Sequence, residues 1–334
     1  MARPRSMLVD LVKQKLLARL GDGLHRPGDR FMSNRAIAGQ FGVSYQTAHR
    51  LVRELVAEGL LDRRPYSGTF VVGAPRGFQG VHLLFNARAR RPESFGYRLM
   101  ALLRSALAQA RVPVRVALLE STPPEIAPVS PGWYPVLWEA PAMVDAIAAR
   151  GDYALLLNER APDGMSALRI DSVTVDDVLG GVLAAEIVAA RIPADALCVV
   201  LAGPRGDARS QARVRGFRKR RPAKLVHAPS WYLDDAAASA ARCMRLRPQA
   251  IFACNDRLAQ AVLIHCQSLG VAPPCLIGFD DAPIAESLHL SSIAIPWKAL
   301  AEATVRIAKL RIAGDLSTAI QVILRPHPIT RLTT

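Results

Sequence analysis

Five polar side chains that could bond DNA bases or phosphates recur at helical spacing in the first quarter of the chain: Tyr45, Gln46, His49, Arg50 and Arg53. This spacing puts them on one face of a helix whose other face is apolar. Amide, imidazole and guanidinium groups can bond base edges in the major groove, and arginine can also bond phosphate. The pattern therefore predicts a helix that reads double-stranded DNA.

A second set of polar and aromatic residues follows the apolar segments of the rest of the chain. Ligands of open α/β sheets bind outside the carboxyl ends of the strands, so residues just after predicted strands are candidates for ligand contact. Aromatic walls combined with hydrogen-bonding groups suit a polyhydroxylated molecule such as a sugar. The candidates are Asn86, Phe95, Trp138, Glu139, residues 158–160, Arg209, Trp231, Asn255, Asp256, Asp280 and Asp281.

Paired acidic residues at 176–177, 234–235 and 280–281 could carry acid-base chemistry or bind a metal. Each pair lies at a strand end or helix start, where carboxylates also cap backbone amides, and capping is the favoured role for the first two pairs. His265 and Cys266 have no second ligand pair at a suitable spacing. The sequence also lacks P-loop, GxSxG and HExxH motifs. We expect no catalytic residues, no metal site and no cofactor.

The predicted reading helix, residues 44–58, is built on an apolar stripe. Ala48, Leu51, Val52 and Leu55 recur at i, i+3, i+4 and i+7, which predicts that they are buried. Ser44 stands immediately before the pattern and is a suitable N-cap. This arrangement buries one face of the helix and leaves the polar face available.

Two further helices and a hairpin surround this helix. Helices are predicted at 6–20 and 34–41, with a turn at 25–31 between them, and strands at 60–64 and 69–72 form the hairpin. Helix, helix, short turn and helix is the helix-turn-helix pattern, and a basic hairpin beside it forms a wing. The apolar stripe of the first helix is Leu8, Leu11, Val12, Leu16 and Leu20.

The charge of the chain is uneven. Its 334 residues include 43 Lys and Arg against 28 Asp and Glu, a formal net charge of +15. Residues 1–80 hold 13 of the basic residues and 6 of the acidic ones, so the basic excess is densest there. This density is typical of a module that binds a polyanion, although a solvated basic surface would give the same count.

Cysteine usage and hydropathy indicate the cellular compartment. The five cysteines are odd in number, lack CxxC spacing and lie in apolar segments, as expected for buried thiols in a reducing compartment. No run of about 18 apolar residues occurs, and the N-terminus has a charged amphipathic pattern in place of an apolar leader. We expect a cytoplasmic protein without a membrane segment.

Beyond residue 80, apolar strands alternate with amphipathic helices. This alternation predicts parallel sheets covered on both faces, and about 250 residues are enough for two lobes. A segment rich in proline and glycine, 74–80, is the predicted linker between a first domain, 1–73, and a second, 81–334. Strands are predicted at 81–86, 114–120, 134–139, 154–159, 196–203, 224–228, 250–255 and 276–280, and helices at 95–110, 141–150, 209–219 and 234–246.

The first domain resembles the GntR-type winged helix-turn-helix. The matching stretch is PGDRFMSNRAIAGQFGVSYQTAHRLVRELVAEGLLDRRPYSGTFV, and the combination of PGD, SxRxA, FGVS, LxxEGL and GTFV is specific. The family commonly has arginine where this chain has Tyr45, and often where it has His49. Tyr45 could instead form a lid on the small core. The resemblance implies DNA contacts from Arg35, Ser44, Tyr45, Thr47 and His49, with Gly68 at the wing tip; Gln46 and Arg50 join them on chemical grounds.

The second domain resembles the periplasmic-binding-protein-like effector domain of LacI/GalR regulators. The matching pieces include IFACNDRLAQAVLIHCQSLGV at 251–271 and LIGFDDAPIAESLHLSSIAIP at 276–296. The resemblance implies two Rossmann-like lobes joined by three crossovers, with an effector bound between them. One position departs from the family: Ile295 stands where a glutamine often bonds sugar hydroxyls. The implied effector contacts are Phe95, Arg209, Trp231, Asn255 and Asp280, and more weakly Arg160 and Asp176.

Together these features predict an α/β protein with an N-terminal winged helix-turn-helix and a two-lobed Rossmann-like fold with parallel sheets, as in AraR-like regulators. The expected function is that of a transcription repressor, a homodimer on a pseudo-palindromic DNA operator, controlled by a small-molecule effector that is a sugar. An anionic or less polar effector stays open. The alternatives are a sugar-modifying α/β enzyme with a DNA-targeting head and a simple ligand-binding protein.

Overall fold

The computed structural model describes residues 4–21, 25, 28–57, 60–65, 67–71, 78–92, 94–120, 129–130, 132–150, 152–159, 169–315 and 317–334. The chain forms two compact units. Unit 1 comprises residues 1–173 and 301–322, and unit 2 comprises residues 174–300 and 323–334. The chain therefore passes between the units three times.

The N-terminal part of unit 1 contains three helices and a two-stranded antiparallel hairpin. The elements are α1 Pro4–Gly21, α2 Asn34–Phe41, α3 Tyr45–Ala57, β1 Leu61–Arg64 and β2 Gly68–Val71. All five were predicted: the bounds of α2 are the predicted ones, and those of the other four differ by at most two residues. Val72, assigned to the second strand from the sequence, lies outside the described residues.

The core of this part forms around the predicted face of α3. Ala48, Leu51, Val52 and Leu55 are each at most 1% exposed, which confirms the apolar stripe. Leu11 was predicted to be buried but is 45% exposed, because the inward face of α1 is centred on its neighbours. The remaining buried residues of this core are Val12, Leu16, Phe31, Ile37 and Leu61.

Local capping sets the helix boundaries. The Ser33 hydroxyl accepts a hydrogen bond from the Ala36 amide, at 3.1 Å, and starts α2. Gly42 ends α2 with a φ of 65°, a left-handed conformation that glycine adopts without strain. The Ser44 hydroxyl then accepts from the amide of Thr47, at 3.1 Å, and starts α3, as predicted.

The turn before α2 pairs with the wing, which the sequence did not reveal. The Gly28 amide donates to the Val71 carbonyl at 3.0 Å, and the Phe31 amide donates to the Thr69 carbonyl at 2.8 Å. In return, the Val71 amide donates to the Asp29 carbonyl at 2.9 Å. This short extended segment therefore satisfies the outer edge of β2 and holds the hairpin against the helices.

The rest of unit 1 is built on a six-stranded sheet of order β13-β7-β6-β5-β3-β4. The strand pairs β3–β4, β3–β5, β5–β6 and β6–β7 are all parallel. Its elements are β3 Val81–Asn86, α4 Phe95–Gln109, β4 Val114–Leu119, β5 Tyr134–Trp138, α5 Pro141–Arg150, β6 Ala154–Leu157, β7 Ile170–Val175 and β13 Gln321–Leu324.

Unit 2 contains a second six-stranded sheet, of order β14-β12-β11-β10-β8-β9, in which only the β12–β14 pair is antiparallel. Its strands are β8 Cys198–Ala202, β9 Lys224–His227, β10 Ala250–Ala253, β11 Cys275–Asp280, β12 Ser291–Ala294 and β14 His327–Ile329. Its helices are α6 Asp177–Ala189, α7 Ala208–Arg218, α8 Ala237–Arg245, α9 Asp256–Ser268 and α10 Pro283–Ser287, and α11 Trp297–Ile312 begins here and ends in unit 1.

A buried ion pair fastens α11 within unit 1. The guanidinium of Arg311 bonds both carboxylate oxygens of Asp171, at 2.7 and 2.8 Å, and both side chains are fully buried. The Tyr134 hydroxyl donates to the same carboxylate. Arg311 also donates to the carbonyls of Asp315, Ser317 and Thr318, so its three remaining N–H protons are used as well.

The structure also tests the predictions that the cysteines are buried thiols and that the chain has no membrane segment. All five cysteines are free, and four are buried, while Cys275 is only partly buried. Burial raises the pKa of Cys243 and of Cys254 to about 12, so neither thiol ionises near neutral pH. Within the described residues, no helix is both long and apolar enough to span a bilayer.

Candidate DNA-binding and effector sites

The outward face of α3 presents the polar residues that were singled out for DNA contact. Gln46, Arg50 and Arg53 are exposed, and His49 is partly exposed. Tyr45 is 52% exposed and stacks on the His49 ring, with centroids 6.4 Å apart and planes inclined by 19°. Tyr45 is therefore part of the outer face of α3 and is not a lid on the core.

The wing contacts this face through a residue that was not singled out from the sequence. The guanidinium of Arg63 on β1 lies 2.9 Å from Nε2 of His49. Because arginine can only donate, this geometry makes Nε2 the acceptor and leaves the proton of a neutral ring on Nδ1. Arg63 therefore fixes the orientation of His49 on the helix.

The other predicted DNA contacts surround the same helix. Arg35 is exposed on α2, and the Ser44 and Thr47 hydroxyls lie 2.8 Å apart at the start of α3. Gly68 begins β2 with a φ of +118°, and a Cβ there would lie 2.9 Å from Nε of Arg30. A larger residue at this wing position would strain the backbone and displace the arginine.

Three predicted effector contacts meet in unit 2 around Asp207, which was not predicted. Arg209 lies 3.2 Å from the Asp207 carboxylate, and the Trp231 indole donates to it at 3.4 Å. The Asn255 amide donates to the Trp231 carbonyl at 3.0 Å. Burial alone would raise the pKa of Asp207, but the charge of Arg209 and hydrogen bonds from Ser210 and Arg209 outweigh it and lower the pKa. Asp207 is therefore a charged anchor for the arginine and the indole.

Asp280 lies beside the buried Arg213, another residue that was not predicted, and the Arg213 guanidinium is 5.9 Å from the centroid of the Trp231 ring. Arg213 lies 2.7 Å from Asp177 and 3.6 Å from Asp280, and its guanidinium lies 3.5 Å from the centroid of the Phe279 ring. Burial would lower the pKa of Arg213, but the two carboxylates outweigh it and raise the pKa. Asp280 has a φ of 100°, an unusual conformation for a residue with a side chain.

The weaker effector candidates have different outcomes. The Asp176 carboxylate accepts from the Leu179 amide at 2.9 Å and caps α6, which is the capping role favoured from the sequence. Arg160 lies outside the described residues. Ile295, which replaces the family's glutamine, is 2% exposed and belongs to the apolar interior.

In unit 1 the strand ends gather a second polar and aromatic group. Phe95, at the start of α4, stacks on Trp138 with centroids 6.2 Å apart and planes inclined by 17°. The Asn86 amide donates to the Glu139 carbonyl at 3.4 Å, and the Glu139 amide donates to the Glu159 carboxylate at 2.8 Å. The ends of β3, β5 and β6 are therefore tied together by side chains.

The described residues hold no group of three or more His, Cys, Asp or Glu placed to bind a metal ion. His265 is partly exposed on α9 and Cys266 is buried. The acidic pairs have local partners: Asp235 accepts from the Ser230 hydroxyl at 2.6 Å, and Asp281 lies 2.8 Å from Arg331.

Comparison with known proteins separates the chain into two matched regions. Residues 8–71 match the family model of bacterial regulatory proteins of the gntR family, and residues 189–334 match that of the periplasmic binding protein-like domain. A histidine utilization repressor from Klebsiella aerogenes is 41% identical over 78 residues, which are 22% of this chain and 32% of the relative. The match thus spans about a third of that protein.

Solved structures match much more of the chain. A LacI transcriptional regulator from a Rhodococcus species has a TM-score of 0.65 at 20% identity, covering 76% of this chain and 97% of that one. A LacI family regulator from Enterococcus faecalis V583 with bound ribose has a TM-score of 0.64 at 18% identity, with coverages of 76% and 98%. A complex of the transcriptional regulator CelR with cellobiose has a TM-score of 0.64 at 16% identity, with coverages of 99% and 100%.

These proteins are transcription regulators, and the structural likeness extends over the fold of both units. The sequence matches identify the N-terminal part and most of unit 2 independently of that likeness. This chain joins a GntR-type helix-turn-helix domain to a periplasmic-binding-protein-like domain with the fold of LacI-family regulators.

Proposed function

We propose that this protein is a DNA-binding transcription repressor whose affinity for its operator is controlled by a small-molecule effector. It acts as a homodimer on a pseudo-palindromic site in double-stranded DNA and works in the cytoplasm, where chromosomal operators are found. It is not an enzyme; the proteins that it resembles are regulators. The observation that carries the proposal is the GntR-type head, in which a buried stripe anchors α3 and leaves its polar face outward.

The polar face of α3 supplies both kinds of DNA contact. Gln46 can bond an adenine through two hydrogen bonds, whereas Arg50 and Arg53 can bond phosphates. Tyr45 can bond phosphate or pack on a thymine methyl group. Phosphate contacts release counterions, so affinity should fall steeply as salt rises.

Fluorescence anisotropy with the full chain and a duplex from its own upstream region tests this function. Binding at 50 mM salt should weaken sharply by 200 mM salt. Gln46→Ala should weaken binding to this duplex about 5- to 150-fold, from loss of about 1–3 kcal/mol of base contact. Gln109→Ala, which replaces an exposed glutamine at the end of α4, is the matched control and should have no effect. Absence of a complex at low salt would contradict the proposal.

A homodimer is supported by exposed apolar side chains on unit 2. Ile264 near the end of α9 is 48% exposed, and Leu269 and Val271 just beyond it are 59% and 46% exposed. A two-fold partner that covered them would also give two reading helices for two half-sites. Sedimentation equilibrium should therefore give twice the chain mass, and Ile264→Asp should shift the protein toward the monomer. A monomeric wild type would refute the dimer.

The effector is proposed to be a sugar. Trp231, Arg209 and Asn255 combine an aromatic surface with hydrogen-bonding groups at strand ends in unit 2. Two of the similar structures hold ribose and cellobiose. Asp280→Ala should abolish the change in operator affinity caused by an active sugar, while operator binding without sugar is retained. An unchanged sugar response would remove Asp280 from the site.

A further inference from the structure

One edge of the unit 2 sheet gathers three segments that are far apart in the sequence. β10, β8 and β9 are neighbours in that sheet, with Ala250 opposite Cys198 and Lys224 opposite Val199. Because these strands are parallel, the segments that precede them meet at their amino ends. This edge is opposite to the carboxyl ends, where the effector candidates of unit 2 lie. The three segments are residues 190–197, 218–224 and 245–249.

Hydrogen bonds hold the three segments against one another. The guanidinium of Arg221, before β9, donates to the carbonyls of Ile192 and Pro193, before β8. The side chain of Gln249, before β10, accepts from the Leu197 amide at 2.8 Å. The backbone amide of Gln249 donates to the Leu197 carbonyl at 2.9 Å. The segments therefore form one continuous surface.

This surface carries positive charge that other side chains do not balance. Its six exposed cations, which we call the basic edge, are Arg191, Arg218, Lys219, Lys224, Arg245 and Arg247. Among the described residues, no carboxylate forms an ion pair with any of the six, whereas the adjacent Arg220 lies 3.6 Å from Glu186. Asp195 is the one acidic residue of the three segments. Such an excess attracts a partner with many negative charges.

The dimensions of the basic edge suit the charge density of DNA. Three neighbouring strands span about 10 Å, because adjacent strands lie about 4.8 Å apart. Duplex DNA presents one negative charge for about every 1.7 Å of its axis, so about six charges face a surface of that width. Four of the six cations are arginines, which can bond two phosphate oxygens at once.

The composition of the three segments favours duplex DNA over other polyanions. They contain no Phe, Trp or Tyr on which the unpaired bases of a single strand could stack. All three segments are described throughout, and none exposes a large apolar side chain that could enter a lipid surface. What remains is a set of cations that can contact phosphates without reading bases.

We propose that the basic edge of unit 2 binds the phosphate backbone of a second segment of duplex DNA, independently of its base sequence. The operator is read by α3, and the basic edge holds a further stretch of DNA at the same time. This inference adds a DNA contact to the proposed repressor function and does not involve the effector.

Energy transfer between two labelled duplexes tests the proposal with the full chain. A donor-labelled duplex from the upstream region is mixed with the protein in stoichiometric amount, and an acceptor-labelled duplex of unrelated sequence is then added. The wild type should bring the two duplexes together at low salt, and added salt should separate them. Anisotropy of each label measures the binding of its own duplex.

Removing four cations of the basic edge should abolish the energy transfer while binding of the upstream duplex is retained. The replacements are Arg218→Gln, Lys219→Gln, Arg245→Gln and Arg247→Gln. Binding of the unrelated duplex should weaken by at least about 10-fold, and its salt slope should fall by about 3–4, since each phosphate contact contributes about 0.9.

A matched control removes the same charge from unit 1. Its four exposed positions are replaced as Arg104→Gln, Arg111→Gln, Arg306→Gln and Lys309→Gln. Arg111 has a φ of 55° and Arg247 a φ of 51°, so the two sets also match in backbone conformation. The control should keep the energy transfer, because only its location differs.

A gain of binding provides a test that misfolding cannot imitate. Asp195→Asn removes the acidic residue of the three segments and should strengthen binding of the unrelated duplex by about 2- to 5-fold. Single-stranded poly-uridine and vesicles of phosphatidylserine in phosphatidylcholine are the competing probes. Both should bind more weakly than the unrelated duplex.

Three results would overturn the proposal: no energy transfer with a wild type that binds the upstream duplex, equal losses in the two fourfold variants, or tighter binding of poly-uridine or vesicles than of duplex DNA. A wild type that does not bind the upstream duplex contradicts the repressor function instead. Anisotropy of the unrelated duplex, compared between the wild type and the two fourfold variants, then still decides whether the basic edge binds DNA.

Discussion

Replacing Arg213 by methionine should destabilise unit 2 more than the same replacement of an exposed arginine. Arg213 on α7 is 4% exposed and lies 2.7 Å from the carboxylate of Asp177, the first residue of α6. It also lies 3.6 Å from Asp280 and covers the Phe279 ring. Methionine fills similar space without the charge, so the buried carboxylate of Asp177 and the partly buried one of Asp280 lose the charge of Arg213.

The expected loss follows from burial. Removing one partner of a buried ion pair costs about 3–5 kcal/mol, because the remaining charge stays in a poorly solvated site. For a domain of this size class, a loss of that order lowers the Tm by about 6–20 °C. Arg220, just beyond the same helix, lies 3.6 Å from Glu186 of α6, but these side chains are 61% and 51% exposed. Arg220→Met should cost no more than about 1 kcal/mol.

Differential scanning calorimetry of the full chain measures both variants, with the transition of unit 2 identified as the one that Arg213→Met moves. Asp177→Asn combined with Arg213→Met completes a double-mutant cycle. The double variant should be less destabilised than the two single losses together, by about 1–3 kcal/mol. Equal Tm values for Arg213→Met and Arg220→Met would refute the reasoning, and so would full additivity in the cycle.

Three further outcomes are expected. Arg53→Ala on α3 should weaken operator binding for all sequences alike and reduce the salt slope by about 1, measured by anisotropy. Gly181→Ala should destabilise unit 2, because the added Cβ would lie 2.0 Å from a backbone carbonyl of α7. Gly39→Ala on α2 adds a Cβ in open space and should stabilise the folded protein by about 0.5–1 kcal/mol. Urea unfolding measures both changes. Burial, reinforced by the Asp280 charge, holds the pKa of Asp256 well above its usual value. The folded state thus binds this proton more tightly, and the stability gained is complete below about pH 4 and is lost as the pH rises through the raised pKa. The Tm at successive pH values should show this fall, which Asp256→Asn removes.

The spacing of apolar residues was sufficient to predict the N-terminal helices. The apolar stripe of α3 predicted four residues that are each at most 1% exposed, because burial of one helical face depends on spacing of about 3.6 residues. The same rule failed for Leu11, since a stripe is about one-third of a helix wide and its centre is set by the neighbouring helices. Those neighbours are known only once the fold is known.

Pairing between distant segments was harder to predict. The strands β12, β13 and β14 are only three or four residues long, and β12 and β14 contain serine, histidine or proline, so no strand was predicted there. β13 lies beside β7, which comes much earlier in the chain, and β14 pairs antiparallel with β12 at the edge of its sheet. Likewise, the pair of Asp171 and Arg311 joins residues 140 positions apart. Only tertiary structure brings such partners together.

The candidate sites show the same division between direct and supporting residues. His49 and Trp231 could be selected from the sequence, because a recognition helix and a strand end expose chemically suitable side chains. Their partners Arg63 and Asp207 could not, because each is defined by a contact that depends on the folded chain. Motif spacing therefore predicts which side chains are available to a ligand, whereas orientation and charge come from residues without a motif of their own. Substitutions that change specificity should occur in the first group, and substitutions in the second should alter affinity by misplacing an otherwise intact contact.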